Sequence, residues 1–311
     1  MGVLVLASKS DNASMTLYDA MKGLGGWRES KSSPLGDYYI HECGSVYLLL
    51  IDRLHIKADN IDLIFSEDTN LDVDDVLILS KHVSGSNTPA MTLHAIGIPG
   101  ALPYGIKGTS GGINGIIVPP SKYFASLFRR MDKLARDRKL DDYFDITLET
   151  THHGPILETP TLYIEIGSTD KEWSRVDVAE CWAEVISDVL GMKGQKYRYF
   201  NPKSDVMIGF GGGHYAPRHK AIIVNSDFNL GHVIANYSLV FDQISECETP
   251  LGPWSECIEN AVKSTRKSFP NNKIFAHLDR KSFRGWERSA IIQKLNELGV
   301  EVRRGKQILQ R

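Results

Sequence analysis

Short apolar runs alternate along this chain with longer stretches whose apolar residues recur every three or four positions. Val3–Ala7, Val46–Ile51 and Val76–Ser80 are near-continuous apolar runs of buried-strand length. Met91–Ile98, Ile146–Leu148, Leu162–Ile166, Met207–Phe210, Ala221–Val224 and Ile274–Ala276 extend the series of predicted strands. Between them lie helical patterns. Ala13–Leu24 is the first. Pro119-Pro120 opens the next, because proline is tolerated in the first helical turn. There Phe124, Leu127, Phe128, Met131, Leu134 and Ala135 form one apolar stripe, and Arg129, Arg130, Lys133, Arg136 and Arg138 take other positions. Thr169 and Glu172 have the spacing of a capping box. Trp173, Val176, Ala179, Trp182, Ile186 and Val189 mark the buried stripe of the helix behind it. Ser255–Arg266 and Trp286–Leu298 read as further helices. This alternation predicts an α/β fold, a largely parallel sheet flanked by helices. No repeat, linker or low-complexity tract interrupts it, so a single domain over residues 1–311 with insertions is expected.

Composition narrows the class. No apolar run approaches the ~20 residues that cross a bilayer, so no membrane partner is expected. Gly2–Ala7 is apolar, but no basic segment precedes it and no cleavage pattern follows, so it reads as a strand. Gly2 is followed by Val3-Leu-Val, a poor myristoylation context. The four cysteines, Cys43, Cys181, Cys247 and Cys257, form no CxxC pair. A disulfide framework or cysteine zinc knuckle is therefore not expected, and a reducing cytoplasm fits. Nothing indicates an obligate protein partner, and a monomer is expected. Net charge is −2 but uneven. Asp59, Asp62, Glu67, Asp68, Asp72, Asp74 and Asp75 cluster early. From Ala261 onward thirteen lysines and arginines, up to Arg311, face only Asp279, Glu287, Glu297 and Glu301. Such asymmetry points to a polyanion partner, with solvated helix faces as the bland alternative.

The placement of histidines and glutamates carries the chemistry. His82 follows one predicted strand; Glu149, His152 and His153 follow another; Glu165 lies near the end of a third. His214 follows a fourth through Gly211-Gly212-Gly213. In parallel α/β sheets ligand sites lie outside the carboxyl ends of strands, so these segments are expected to converge on one cleft. Each histidine has a plainer reading. His94 lies inside a predicted strand and fits a core histidine, His41 and His55 read as structural, and His277 is divided between phosphate contact and a surface role. Of the adjacent pair His152-His153, one should face the site and the other brace it. Imidazole and carboxylate suit zinc with one open position for water, although no HExxH is present. The stretch from Gly108 to Gly115, with Gly111-Gly112 within it, is neither a Walker loop nor GxGxxG and reads as a tight turn.

Several stretches, in order, resemble the archaeal and plant D-aminoacyl-tRNA deacylase family. They are Ser80-Lys-His82-Val-Ser84-Gly-Ser86, Leu93-His94, Glu149-Thr-Thr-His152-His153-Gly154-Pro155, Glu165-Ile-Gly167-Ser168-Thr-Asp-Lys-Glu172-Trp173, Gly209-Phe-Gly-Gly-Gly-His214-Tyr215-Ala216, Gly231-His232 and Asp279-Arg280-Lys281. The chain length and the acidic Ser66–Asp75 segment suit the plant branch. The resemblance implies a fold related to peptidyl-tRNA hydrolases and nucleoside phosphorylases, and hydrolysis of the ester joining a D-amino acid to the terminal ribose of tRNA. It also associates zinc with the family and links it to D-aminoacyl-tRNAs whose amino group has been modified by aldehydes.

On that footing His94, His152, Glu165 and His214 are the expected zinc ligands. His153 is the expected general base with Glu149 orienting it, and His82 and His232 are able to exchange roles with these. Arg129, Arg130, Lys133, Arg280, Lys281, Arg284 and Arg288 are expected to hold tRNA phosphates. Two rivals use parts of the same pattern. A zinc peptidase or amidase acting on a small substrate needs the His/Glu cluster without the basic patches. A non-catalytic RNA-binding protein needs the patches without the cluster. Phosphorylase chemistry rests on fold analogy alone.

Overall fold

Both faces of β1 (Val3–Ser8) are apolar because it lies inside a sheet covered on both sides. In the computed structural model, residues 2–100, 110–194, 201–242 and 250–309 are described; Gly108, Cys247 and Arg311 lie outside them. After β1 come α1 (Asn12–Gly23), β2 (Lys31–Ser33), β3 (Gly36–Ile40), β4 (Val46–Ile51), α2 (Ile61–Thr69), β5 (Asp75–His82) and β6 (Ala90–His94). Then follow α3 (Phe124–Asp137), β7 (Asp145–Leu148), β8 (Thr161–Gly167), α4 (Asp170–Trp173) and α5 (Val176–Leu190). The last third holds β9 (Val206–Phe210), α6 (Pro217–Val224), β10 (Asn229–Ile234), α7 (Trp254–Ser268), β11 (Ile274–Leu278), α8 (Gly285–Glu297), β12 (Glu301–Val302) and α9 (Gly305–Leu309).

Among the described residues these strands form two sheets. The larger has the order β2-β3-β4-β1-β5-β8-β6-β7, and the smaller the order β10-β9-β11-β12. The smaller sheet is parallel throughout. The larger is parallel across β4-β1-β5-β8 and again at β6-β7, with antiparallel joints at β2-β3-β4 and at β8-β6. Alternate residues of β1 serve different cores. Val3, Val5 and Ala7 pack with Leu17, Phe128 and Trp182 of α1, α3 and α5. Leu4 and Leu6 pack with Ile61 and Phe65 of α2. The first of these cores also takes in Met207, Leu230 and Phe275 from the smaller sheet. A third core lies between β9, β11, α7 and α8. No helix among the described residues is long and apolar enough to cross a membrane.

Some predicted elements differ. Ala221–Val224 is the end of α6 rather than a strand: Pro217 starts the helix, and His219, Ile222 and Ile223 are its buried face. A four-residue apolar run does not separate a strand from a buried helical turn. Pro119-Pro120 does not open α3. Pro119 accepts from Thr161 N and Pro120 bridges to Thr161, so the chain is extended there and the helix begins at Phe124. The Thr169–Glu172 capping box is present, but it caps only α4, and the chain restarts at Val176.

Two of the expected phosphate ligands are committed inside the fold. Arg129 Nη1 donates to the carbonyls of Ser226 and Phe228 at 3.1 and 3.0 Å, fastening α3 to the segment before β10. Arg130 is buried and pairs with Asp188 at 2.6 Å and Glu184 at 3.2 Å on α5. Replacing Arg130 leaves two carboxylates facing each other in a half-buried seam. Arg130→Ala is expected to lower the unfolding free energy by about 2 kcal/mol, between the limits for exposed and fully buried pairs. Urea denaturation reads this directly, and an unchanged midpoint would mean the pair contributes nothing.

Candidate active site

The cluster forms where the two sheets are stitched together. After β7, Glu149 N continues the ladder to Leu93 O, Thr150 N bonds His214 O at 2.9 Å, and Thr151 N bonds Val233 O at 2.7 Å. One short segment is thereby hydrogen-bonded to β6, to the turn after β9 and to β10. That turn contains Gly211 (φ +100°) and Gly212 (φ +90°), conformations that side-chain-bearing residues rarely adopt, and it swings His214 back toward Glu149. Beneath the site Gly154 packs on Gly112 so closely that a Cβ there would fall 2.5 Å from Gly112 N. The Gly111-Gly112 stretch is thus a backbone support for the His152-His153 loop.

Two carboxylates, Glu149 and Glu165, lie buried at the centre. Both approach one nitrogen: His82 Nδ1 is 3.0 Å from Glu149 Oε1 and 3.3 Å from Glu165 Oε2. Thr92 donates its hydroxyl to Glu149 Oε1 at 2.6 Å, and His214 Nε2 lies 2.7 Å from Glu149 Oε2. Burial alone would push His82 down, but Glu149 and Glu165 outweigh it and hold the ring protonated, up to about 12. Burial pushes the carboxylates up; against it, His82 and His214 hold Glu149 well below its usual value, and His82 and His94 hold Glu165 at about 2. His82 Nε2 reaches the Tyr215 hydroxyl at 2.8 Å. Because the charged ring donates there, the Tyr215 O–H is left to point into the cleft.

Beside this network three imidazoles converge. His94, His152 and His153 have ring centroids 4.0 to 4.7 Å apart and offer ligand atoms within 4.8 Å of one another. Each lays Nδ1 against a backbone carbonyl: His94 on Ala95 at 3.1 Å, His152 on Thr150 at 2.7 Å and His153 on Gly154 at 2.6 Å. A carbonyl accepts only from an N–H, so Nε2 carries the lone pair in His152 and His153, and in His94 whenever that ring is neutral. A carbonyl fixing the outer nitrogen is the usual brace of a metal-ligating histidine. Burial, followed by the charge of His94, keeps His153 at about 3, and burial holds His152 well below its usual value. His94 is raised: burial opposes protonation, but the 3.6 Å approach of Glu165 Oε1 prevails. His94 Nε2 is buried without a hydrogen bond, while Glu149 Oε2 is taken up by the imidazole of His214. An orphaned ligand atom of the right type fits a zinc ion, and a proton on His94 Nε2 would compete with it for the same place.

The structure therefore brings together His82, His94, Glu149, His152, His153, Glu165 and His214. It divides the expected ligands differently: His94 and His152 share a grouping with His153, Glu165 reaches His94 and His82, and His214 groups with His82 and Glu149. Glu149 meets His82 and His214 rather than His153, whose ring is oriented by the Gly154 carbonyl. His232 stands apart. Its two nitrogens contact Thr151 Oγ1 at 3.0 Å and Ser264 Oγ at 3.1 Å, bracing the stitching segment from behind. His55 also braces, bonded to Tyr163 and Asp11, with Tyr163 stacked on His94. Tyr215 escaped the sequence-based assignment, although its place next to His214 was the available signal. His152, His153, His214 and Tyr215 are partly buried but reach the surface and Gly213 is exposed, so this is the face turned toward a substrate. Of the expected phosphate ligands outside α3, Arg280, Lys281 and Arg284 are exposed, whereas Arg288 donates to the carbonyls of Arg280 and Phe283 and shapes the turn into α8. Lys133 is exposed on α3.

The charges set a pH window. His82 is raised from 6.5 to about 12, so its contribution to stability is complete below pH 6.5 and lost as pH rises toward 12. Glu165 is lowered from 4.5 to about 2, so its contribution is complete above pH 4.5 and lost as pH falls toward 2. In chelator-treated protein, His82→Gln should therefore destabilise most near pH 5.5 and progressively less above pH 7. Denaturant titrations of wild type and variant at pH 5.5 and 9 check this, and a larger difference at pH 9 would contradict the assigned charges.

Comparison with known proteins places this geometry. The sequence profile of the D-aminoacyl-tRNA deacylase family matches residues 69–303. A D-aminoacyl-tRNA deacylase of Arabidopsis thaliana is 37% identical over 312 residues, covering 97% of this chain and 98% of the relative. One from Pyrococcus furiosus is 29% identical over 302 residues, covering 96% and 98%. A crystal structure described as a conserved protein of unknown function superposes with a TM-score of 0.80 at 26% identity, over 99% of this chain and 97% of that one. The chain belongs to the D-aminoacyl-tRNA deacylase family, a family of ester hydrolases.

Proposed function

We propose that this chain hydrolyses the ester joining a D-amino acid to the terminal ribose of tRNA, releasing free D-amino acid and tRNA as a proofreading step of translation. We extend the proposal, on family resemblance, to D-aminoacyl-tRNA whose amino group carries an aldehyde modification. The observation that carries the reading is the convergence of three carbonyl-braced imidazoles beside His214 and Tyr215, which reach the surface.

His94, His152 and His153 would hold zinc, with Glu165 beside His94; bound there, zinc lowers the pKa of a water and polarises an oxygen. The remaining roles fall to the chain itself. His214 takes up the proton from the attacking water, and Glu149 Oε2, 2.7 Å from its Nε2, stabilises the resulting cation. Tyr215 O–H, with His82 donating to its oxygen, is assigned to the developing oxyanion, and the exposed Gly213 amide is the second donor assigned to it. The acyl–oxygen bond then breaks, the ribose oxygen leaves with a proton, and the amino acid departs as its carboxylate. Lys133, Arg280, Lys281 and Arg284 are the exposed cations assigned to tRNA phosphates.

Incubation with matched D- and L-aminoacyl-tRNA should release the D ester preferentially; preference for L, or no loss of either, would overturn the reading. His153→Ala is expected to lose zinc, measured by metal analysis, and to slow single turnover by about 10²–10⁴-fold while tRNA affinity holds. Full zinc retention in that variant would move His153 from ligand to base, and an unchanged rate would remove it from the mechanism. Reversing Arg280, Lys281 and Arg284 together should weaken tRNA binding and reduce the slope of log affinity against log salt by roughly two to three, about one per lost phosphate contact.

A further inference from the structure

A cavity lies at the carboxyl end of β11. It has a volume of about 240 Å³, and its wall joins two kinds of chemistry. Leu278, Ile292 and Val302 make an apolar side, while Arg280, Arg304 and Lys306 stand exposed at the rim. Two other arginines of the wall are committed, Arg218 to Asp279 and Arg303 to Asp205 and Glu301. The three rim cations have no carboxylate partner among the described residues, and no carboxylate is among the lining residues.

An independent feature points into the same space. His277 lines the cavity yet is only 7% exposed. Its Nδ1 lies 3.0 Å from His219 Nδ1, and His219 Nε2 lies 3.3 Å from the Gly211 carbonyl. That carbonyl accepts, so His219 donates from Nε2 and accepts at Nδ1, which makes His277 Nδ1 the donor. His277 Nε2 therefore keeps a lone pair. It has no protein partner among the described residues, and it faces the space above Gly305, 3.6 Å from where a Cβ would stand. Burial keeps both rings neutral, His277 at about 4. A buried acceptor beside free cations and an apolar wall fits a ligand with an anion, a hydroxyl or amine donor, and a flat apolar face. A nucleotide has all three.

Position ties the cavity to the candidate active site. Leu278 and Phe210 are register partners at the ends of β11 and β9, so Arg280 and the turn carrying His214 leave neighbouring strands on one edge. Resting on the reading that the substrate is D-aminoacyl-tRNA, we infer that this cavity is a nucleotide subsite for the acceptor arm. It takes a residue upstream of the ester-bearing one: phosphate on Arg280, Arg304 and Lys306, base or ribose against Leu278, Ile292 and Val302, and a hydroxyl or amine donated to His277 Nε2.

Two variants test it by different means. Arg304→Glu with Lys306→Glu reverses exposed charges, and Gly305→Leu fills the space without changing charge. Each should raise KM for D-aminoacyl-tRNA at least tenfold with kcat unchanged, and leave hydrolysis of the phosphate-free D-aminoacyl-adenosine as in wild type. Unchanged KM in both, or a rise with the charge variant alone, overturns the enclosed subsite. If wild type hydrolyses neither substrate, the proposed function fails and the subsite is judged on deacylated tRNA. A tenfold loss of affinity in both variants then supports it, and an unchanged Kd overturns it. Weakened binding of 5′-AMP with undiminished tRNA binding would assign the cavity to a free nucleotide and also overturn the inference.

Discussion

Two buried carboxylates within reach of one imidazole nitrogen set the terms for the rest of this structure. Glu149 and Glu165 cannot both stay ionised out of water unless positive charge lies close by. His82 supplies it, and supplies it to both. Once His82 is fixed as a cation, Tyr215 must accept at its oxygen, Glu149 is free to hold His214, and Glu165 is turned toward His94. The arrangement is expensive, since well-packed apolar side chains would stabilise the same volume with less desolvation. Its presence just behind His214 and Tyr215 makes sense as preorganisation: dipoles and charges already aimed before a substrate arrives.

The seam follows from topology. β6 runs against β8, which puts Thr92 opposite Glu165 and His94 opposite Tyr163 rather than at the edge where β5 and β8 end. His94 thus stacks on Tyr163, and the His152-His153 loop reaches it from the end of β7, the parallel neighbour of β6. The segment from Glu149 to Thr151 is hydrogen-bonded to both sheets, so the two sheets and the site share one stretch of backbone. Any movement of the smaller sheet against the larger would shift His214 relative to Glu149.

How much of this was legible from the chain depends on which signal is asked. Long runs with one period were clear: β1, β4, β5 and α5 sit where their apolar patterns place them, because both faces of those strands, and a full helical stripe, are buried. The short, polar-interrupted β10 and the hairpin of β2 and β3 escaped, since Asn229-Leu-Gly-His-Val-Ile carries no period strong enough to read. The arginines of α3 misled for a related reason. Sequence shows that Arg129 and Arg130 lie off the apolar stripe, but not that α5 and the segment before β10 cover that side as well. That His82, Glu149, His152, His153, Glu165 and His214 would meet was legible from their places near or after strand ends; that His232 would stand apart and Tyr215 would join was not. The cluster's internal pairing was not legible either, since a pairing depends on register between strands distant in sequence.

Ring-nitrogen partners sort the histidines better than position does. The chain has ten. His232 and His55 have both nitrogens held by side chains, and each stands behind the site as a brace. His219 is held by His277 on one side and a carbonyl on the other. His94, His152 and His153 each give one N–H to a carbonyl of a residue one or two positions away, which leaves the opposite nitrogen turned outward from its own loop. That local bond costs little to form and fixes the tautomer before any partner is present. An imidazole with one nitrogen fixed by a carbonyl and the other aimed at a shared centre is a ligand or a base, whereas one with both nitrogens satisfied by the fold is neither. The same accounting leaves His277, with one nitrogen held and the other facing a cation-rimmed cavity, on the functional side of that division.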